Sequence, residues 1–379
     1  MTQLHITAAA ATGPLGSTLD DIWNRVMSGE VHAEELEVAS GKSYVCSPSF
    51  SGSTANTHTY GLAYHNALIR LLNDLQLEAP VDAVFLGTAV GNLGSAEERI
   101  YTKQAVDLLS LDFANLRTVL HGCEAVDEHT RFITVPTGCC AGLQAAGLAK
   151  EIMPKLGLKT AVVASLDFGL TPLAFEAFAK INATTDGDVQ PDRHPSRPFC
   201  KDRSGFLFAD GGGAIAVTLE QPEQPVPRIT GYGCVSSAFH MTDIAVDGMA
   251  IHASIEGAMK DASVAATDIG HVNLHASGTV QNDQAEHAAL SMIFGNELPS
   301  ITAFKGNHGH ALSGANLLEI ALSWKMMQTG QIPPTPKTLP VDAYENVPPR
   351  TEPVPLMNCA LLKTASGFSG IHASLVMEN

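Results

Sequence analysis

Short apolar runs alternate along the chain with amphipathic stretches, the signature of a mixed α/β protein. Residues 4–10, 82–87, 131–136 and 160–166 are rich in Val, Ile and Ala and are bounded by turn formers, which predicts buried strands. Between them, 18–28 opens on Thr18 with acids in its first turn, 61–76 carries apolar residues at helical spacing, and 141–154 reads as a helix of small residues. The second half repeats the style, with strands expected at 213–218 and 271–275 and helices at 248–262, 283–294 and 313–329. This predicts two similar α/β halves, although residue identity between them is too low to establish a duplication. The Pro-rich stretch 332–356 reads as a surface connection ahead of the last strands.

Composition narrows the class. The chain has 379 residues, 45% hydrophobic and 16% charged, with 33 glycines, as in a turn-rich globular enzyme with much buried surface. Its formal charge of −17 argues against nucleic acid, whose binding requires a basic surface. No basic leader and no run of about 18 apolar residues is present, so the expectation is a soluble cytoplasmic protein without a membrane span. Seven irregularly spaced cysteines read as reduced thiols rather than a disulfide framework.

Three segments carry candidate chemistry. In VPTGCCAGLQAAGLA, residues 135–149, a β-rich run meets a Gly/Cys turn and then a small-residue helix. A cysteine there lies near the positive end of the helix macrodipole, which predicts a lowered pKa and a nucleophilic thiolate. The plain alternative is that Cys139 and Cys140 are small buried hydrophobes. In VNLHASGTVQNDQAEHAAL, His275 ends an apolar strand and is followed by Ser277 and Thr279, a loop suited to a polar arm. In ITAFKGNHGHALSGANLLEIALSW, Lys305, His308, His310 and Glu319 surround another Gly-rich turn. The Cys and His spacings match no recognised zinc pattern, so metal: none is expected. The absence of a G-x-S-x-G elbow argues against a serine hydrolase.

Taken together and in this order, the segments resemble the β-ketoacyl-carrier-protein synthase family, in particular its elongating Cys-His-His members of the thiolase superfamily. The segment SRPFCKDRSGFLFADGGGAIAV, residues 196–217, is similar to the family's S-R-P-x-x-x-x-R-x-G-F-x-x-x-D-G-x-G signature, and KTASGFSGIHASLVM to its closing strand. ITAAAATGPLGSTLDDIWNRVMSGE looks like the opening strand, turn and helix. The resemblance implies a thiolase-like fold, two similar α/β halves at 1–222 and 223–379 forming a five-layered αβαβα sandwich. It places the family's nucleophile on Cys139 and not Cys140, and the two catalytic histidines on His275 and His310. Lys305 and Glu319 match the K-x-x-x-G-H motif and the glutamate nine residues beyond it. Ser277 and Thr279 stand where two threonines hold phosphopantetheine, and Phe368 matches the gating phenylalanine whose N–H shares the oxyanion hole with that of Cys139.

The implied activity is decarboxylative Claisen condensation of an acyl group on Cys139 with a malonyl-type thioester. No cofactor is implied beyond the phosphopantetheine that arrives on an acyl carrier protein. The implied partners are that carrier protein and a second subunit, as a homodimer or as a heterodimer with a related ketosynthase-like chain. Ser366 and Ser369 replace a phenylalanine and a glycine of the family's N-S-F-G-F-G-G-T-N loop, and Ala276 replaces a glycine. These departures point to altered gating and a specialised fatty-acid, polyene or type II polyketide pathway. A chain-length-factor-like partner subunit and a non-decarboxylating acyltransferase share the fold, and retention of Cys139 and both histidines weighs against each.

Overall fold

The computed structural model describes residues 2–37, 42–49, 57–91, 93–103, 116–185, 194–295, 297–336, 345–347, 349–357 and 360–379. Ten strands form the main sheet: β1 (Leu4–Thr12), β2 (Ala83–Gly87), β3 (Arg131–Val135), β4 (Thr160–Asp167), β5 (Gly211–Thr218), β6 (Arg228–Ser236), β7 (Ile269–Asn273), β8 (Ser300–Thr302), β9 (Ala360–Gly367) and β10 (Ile371–Glu378). The helices that matter here are α1 (Leu19–Met27), α2 (Thr57–Asp74), α3 (Ala141–Leu156), α4 (Met249–Ala262), α5 (Val280–Phe294) and α6 (Gly314–Thr329).

The sheet order is β8-β7-β9-β10-β6-β1-β5-β4-β2-β3. Its middle is held by only two residue pairs between β1 and β6, Leu4 with Ile229 and His5 with Arg228. Either side of that narrow join the same pattern recurs. β1 pairs antiparallel with β5, β5 antiparallel with β4, and β4, β2 and β3 run parallel. β6 pairs antiparallel with β10, β10 antiparallel with β9, and β9, β7 and β8 run parallel. The duplication that residue identity does not establish is therefore plain in the topology.

Alternation along the strands assigns the layers. Phe85, Val163 and Ile215 point into a central core shared with α3, α6, Leu361 and Leu375. Val84, Leu86, Val162 and Ala164 point outward onto α2, and Leu362, Val376 and Val272 point outward onto α4 and α5. Helix, sheet, helix pair, sheet and helix pair make five layers, as expected of the thiolase-like fold.

The middle layer explains the small residues of the cysteine segment. A Cβ on Gly142 would lie 2.7 Å from both the Asn316 Cβ and the Ser165 Oγ, so α3 approaches α6 and β4 only with glycine there. Thr18 caps α1 by accepting from the Asp21 N–H at 3.2 Å, as its sequence position predicts. The Pro-rich stretch is stitched in place at its ends rather than lying free: Gln331 and Ile332 pair antiparallel with Pro355 and Val354, and Arg350 donates to the Ile301 carbonyl at 2.5 Å. Residues 337–344, 348, 358 and 359 of this region and its continuation lie outside the described residues.

Candidate active site

Equivalent ends of the two half-sheets supply the site. Cys139 sits in the turn between β3 and α3, with Cys140 at the helix N-cap. His310 follows the short helical turn Lys305–His308 ahead of α6, the corresponding position in the second half. His275 lies two residues past the end of β7, and Phe368 directly follows β9. The closing hairpin leans on the cysteine pair: a Cβ on Gly367 would lie 3.3 Å from the Cys140 sulfur, and Cys140 Sγ donates to the Ile371 carbonyl at 3.2 Å.

The backbone N–H groups of Phe368 and of Cys139 itself face the Cys139 sulfur and favour its thiolate form. Backbone donors beside a candidate nucleophile are what an oxyanion hole is built from. Cys139 keeps partial exposure, whereas Cys140 is fully buried, so of the two it is Cys139 that a substrate could reach.

One expectation is overturned. The Cys139 thiol is not lowered by the helix macrodipole but pushed up to about 12, by burial first and then by the Asp167 carboxylate, with Lys305 opposing. Asp167 is buried and accepts from Thr88 Oγ1 at 2.7 Å and from the backbone N–H groups of Val90 and Ser313 at 3.0 and 2.9 Å. The dipole of α3 is a partial charge, and desolvation plus a full negative charge outweigh it.

The His275 and His310 rings lie edge to face with centroids 5.1 Å apart. Burial, reinforced by the Lys305 ammonium, holds both well below the ordinary histidine range. Both are therefore neutral near pH 7, with one N–H to donate and one lone pair to accept. The His275 backbone N–H donates to Glu286 Oε1 at 2.8 Å and to Thr364 Oγ1 at 3.0 Å, and the His310 N–H donates to the Leu207 carbonyl at 2.7 Å.

Behind the rings, the fully buried Lys305 Nζ lies 2.8 Å from Glu319 Oε1. His308 joins them, its Nε2 3.6 Å from the same oxygen, although it falls outside the sequence motif. Ser277 and Thr279 are hydrogen-bonded to each other at 3.0 Å. Only Thr279 of the two reaches a cavity of about 530 Å³, which it lines with Phe368, Asn182, Ser204 and Asp243; Ser277 is buried behind it. Among the described residues no three His, Cys, Asp or Glu side chains converge as a metal centre, and no helix is long and apolar enough to cross a membrane.

Three buried groups escaped the sequence reading. Glu286 anchors the His275 loop, Asp283 ties that loop to the signature segment through the N–H groups of Gly278 and Phe199, and Lys363 pairs with Glu319. The first two carry a weak signal, as acids at helical spacing just after the His275 loop.

Comparison with known proteins agrees with this geometry. Models of the β-ketoacyl synthase N-terminal and C-terminal domains match residues 83–222 and 227–338. The chain belongs to the β-ketoacyl synthase family. It is 29% identical over 258 residues to the tetracenomycin polyketide synthase ketoacyl synthase alpha subunit of Streptomyces glaucescens, covering 64% of this chain and 59% of that protein. With the 3-oxoacyl-[acyl-carrier-protein] synthase 2 of Vibrio cholerae it shares 25% identity, over 98% of both chains. Across the Streptomyces polyketide relatives the match spans 54% to 74% of their lengths.

Solved β-ketoacyl synthases share the fold. A ketosynthase structure solved with its type II PKS acyl-carrier protein superposes with a TM-score of 0.85 at 23% identity, covering 100% of this chain and 99% of that one. The ketosynthase of Xenorhabdus doucetiae in complex with its chain length factor gives 0.80 at 22% identity, covering 100% and 98%.

Proposed function

We propose that this β-ketoacyl synthase joins an acyl group held on Cys139 to a malonyl-type carrier-protein thioester with loss of carbon dioxide. The observation that carries the reading is that two neutral histidines with ring centroids 5.1 Å apart share the Lys305 ammonium as a neighbour with Cys139.

In the first half-reaction the thiol gives its proton to a neutral imidazole as sulfur attacks the acyl thioester, and the carrier thiol leaves with a proton. A raised thiol pKa suits this order, because deprotonation then accompanies attack. The two backbone donors take the tetrahedral charge. In the second, the bond between the malonyl carboxyl and α-carbons breaks, carbon dioxide departs, and the electron pair passes to the thioester as an enolate. N–H groups of His275 and His310 stabilise its oxygen, an interaction made in the transition state rather than the ground state. The enolate carbon attacks the Cys139 thioester, and sulfur leaves as the thiolate and takes up one proton from solvent, the proton that decarboxylation of a carboxylate consumes.

Lys305 and Glu319 hold the local field, and Thr279, backed by Ser277, receives the phosphopantetheine arm in the cavity beside Phe368. No cofactor is needed beyond that arm, and the compartment is cytoplasmic. The domain boundary falls near residue 222, between β5 and β6, where the strand pattern restarts. A dimer, homomeric or with a related ketosynthase-like chain, is favoured by β3, an apolar edge strand of the main sheet that is only partly covered. The pathway is a specialised fatty-acid, polyene or type II polyketide one, in keeping with the polyketide relatives.

The test is incubation with acyl- and malonyl-carrier protein. β-Ketoacyl product formed with release of carbon dioxide supports the reading, and acyl exchange without carbon dioxide release contradicts it.

A further inference from the structure

Glu319 sits between two lysines. Lys305 Nζ is 2.8 Å from one carboxylate oxygen and Lys363 Nζ is 2.6 Å from the other, with all three side chains fully buried. Within this triad one carboxylate faces two ammonium groups, and the buried Glu286 carboxylate at the His275 N–H is the further acid that acts on Lys363. Two buried ammonium groups held by buried acids next to the His275 loop make the cluster a candidate for use in the site.

Lys363 also grips the backbone. Its Nζ donates to the Thr364 carbonyl at 2.8 Å and to the Leu274 carbonyl at 3.3 Å. Leu274 precedes His275, and the Thr364 hydroxyl accepts the His275 N–H. One ammonium thus ties β9 to the loop that carries the histidine. We propose that Lys363 is a positioning residue for His275, and that its ammonium, with that of Lys305, places fixed cations at the histidine side of the site where a carboxylate-bearing thioester and its enolate react. This rests on the condensing function proposed above.

A fixed cation in a dry site acts strongly on charge that develops in the reaction. The groups facing His275 are the ammonium groups of Lys305 and Lys363, which favour the neutral ring, His310 and His372, which oppose its charging when they are themselves protonated, and Glu286 at its backbone. Lys305 also faces the Cys139 thiol, and Lys363 does not rank among that thiol's main influences. Removing Lys363 should therefore weaken decarboxylation more than loading of Cys139.

The experiment compares the full chain with Lys363→Met and Lys363→Arg, following carbon dioxide release from malonyl-carrier protein and Cys139 acylation across pH 5–9. Lys363→Met is expected to slow carbon dioxide release by roughly tenfold or more, with a smaller effect on acylation. Loss of a neighbouring cation raises the histidine pKa values, so the acid limb of its profile should move to higher pH. Lys363→Arg should restore part of the rate and the original limb. Lys363→Thr carries the Met expectation if the Met variant does not fold. A wild-type chain that releases carbon dioxide, matched by both uncharged variants with an unmoved acid limb, overturns the inference alone. A wild-type chain that releases none overturns it together with the condensing function.

Discussion

The imidazoles of His275 and His310 meet edge to face, their planes at 82° and their centroids 5.1 Å apart. Two rings this close cannot both be charged without repulsion, and burial with Lys305 and Lys363 nearby keeps both neutral. The site thus offers two imidazole N–H groups to a developing oxyanion at neutral pH.

Acid should destabilise the fold. His271, His275, His308, His310 and His372 all have folded pKa values below the ordinary 6.5. The unfolded chain therefore takes up protons first as pH falls, and stability complete above about pH 6.5 is lost below it, by up to about 1.4 kcal/mol per pH unit for each histidine. Asp167 and Asp283, raised to about 6 by burial, and Asp74 and Glu97, also raised, act in the opposite direction, but are four against nine histidines once His5, His32, His65 and His194 are counted. Urea midpoints should fall between pH 7 and pH 5; equal or higher midpoints at pH 5 would contradict this assignment.

Alkylation of Cys139 should report its raised thiol pKa. Peptide-resolved labelling with iodoacetamide should rise steadily with pH through 9, because the thiol titrates only near about 12. A plateau reached below pH 7 would restore the macrodipole-activated thiolate.

Glu319→Gln leaves two buried ammonium groups facing each other. Loss of one partner of a buried ion pair costs about 3–5 kcal/mol, so the variant should unfold at markedly lower urea. Burial lowers Lys363 to about 8, so the defect should be greatest at neutral pH and smaller toward pH 10, where that ammonium releases its proton. A defect independent of pH would show that the carboxylate's charge is not what matters.

Gly142→Ala tests the contact between α3 and α6. The new methyl would lie 2.7 Å from the Asn316 Cβ and the Ser165 Oγ, and overpacking of this kind costs about 1–3 kcal/mol. A thermal midpoint equal to wild type would show that the helices move apart without cost.

Strands, the small-residue helix and the Cys139 turn were legible because their signals are local: apolar runs, glycines, and a cysteine before a helix. The raised Cys139 pKa was not, because its causes, burial first and then Asp167 at the end of β4, lie outside a local dipole argument. Lys363 was hidden for a similar reason. It stands inside ALLKTASG, an otherwise small and apolar strand, and its partner Glu319 lies 44 positions earlier on α6, so only tertiary packing reveals the pair. Ser366 was legible as a departure in the closing loop, while its role was not: it hydrogen-bonds His372 Nδ1 at 3.0 Å across the β9–β10 hairpin.

Intact-mass analysis of wild type, Cys139→Ala and Cys140→Ala after incubation with acyl-carrier protein tests the central claim most directly. Wild type and Cys140→Ala should gain the acyl mass and pass it into β-ketoacyl product on addition of malonyl-carrier protein, and Cys139→Ala should do neither. Acylation that survives in Cys139→Ala, or no acylation of wild type with any primer, would contradict the account.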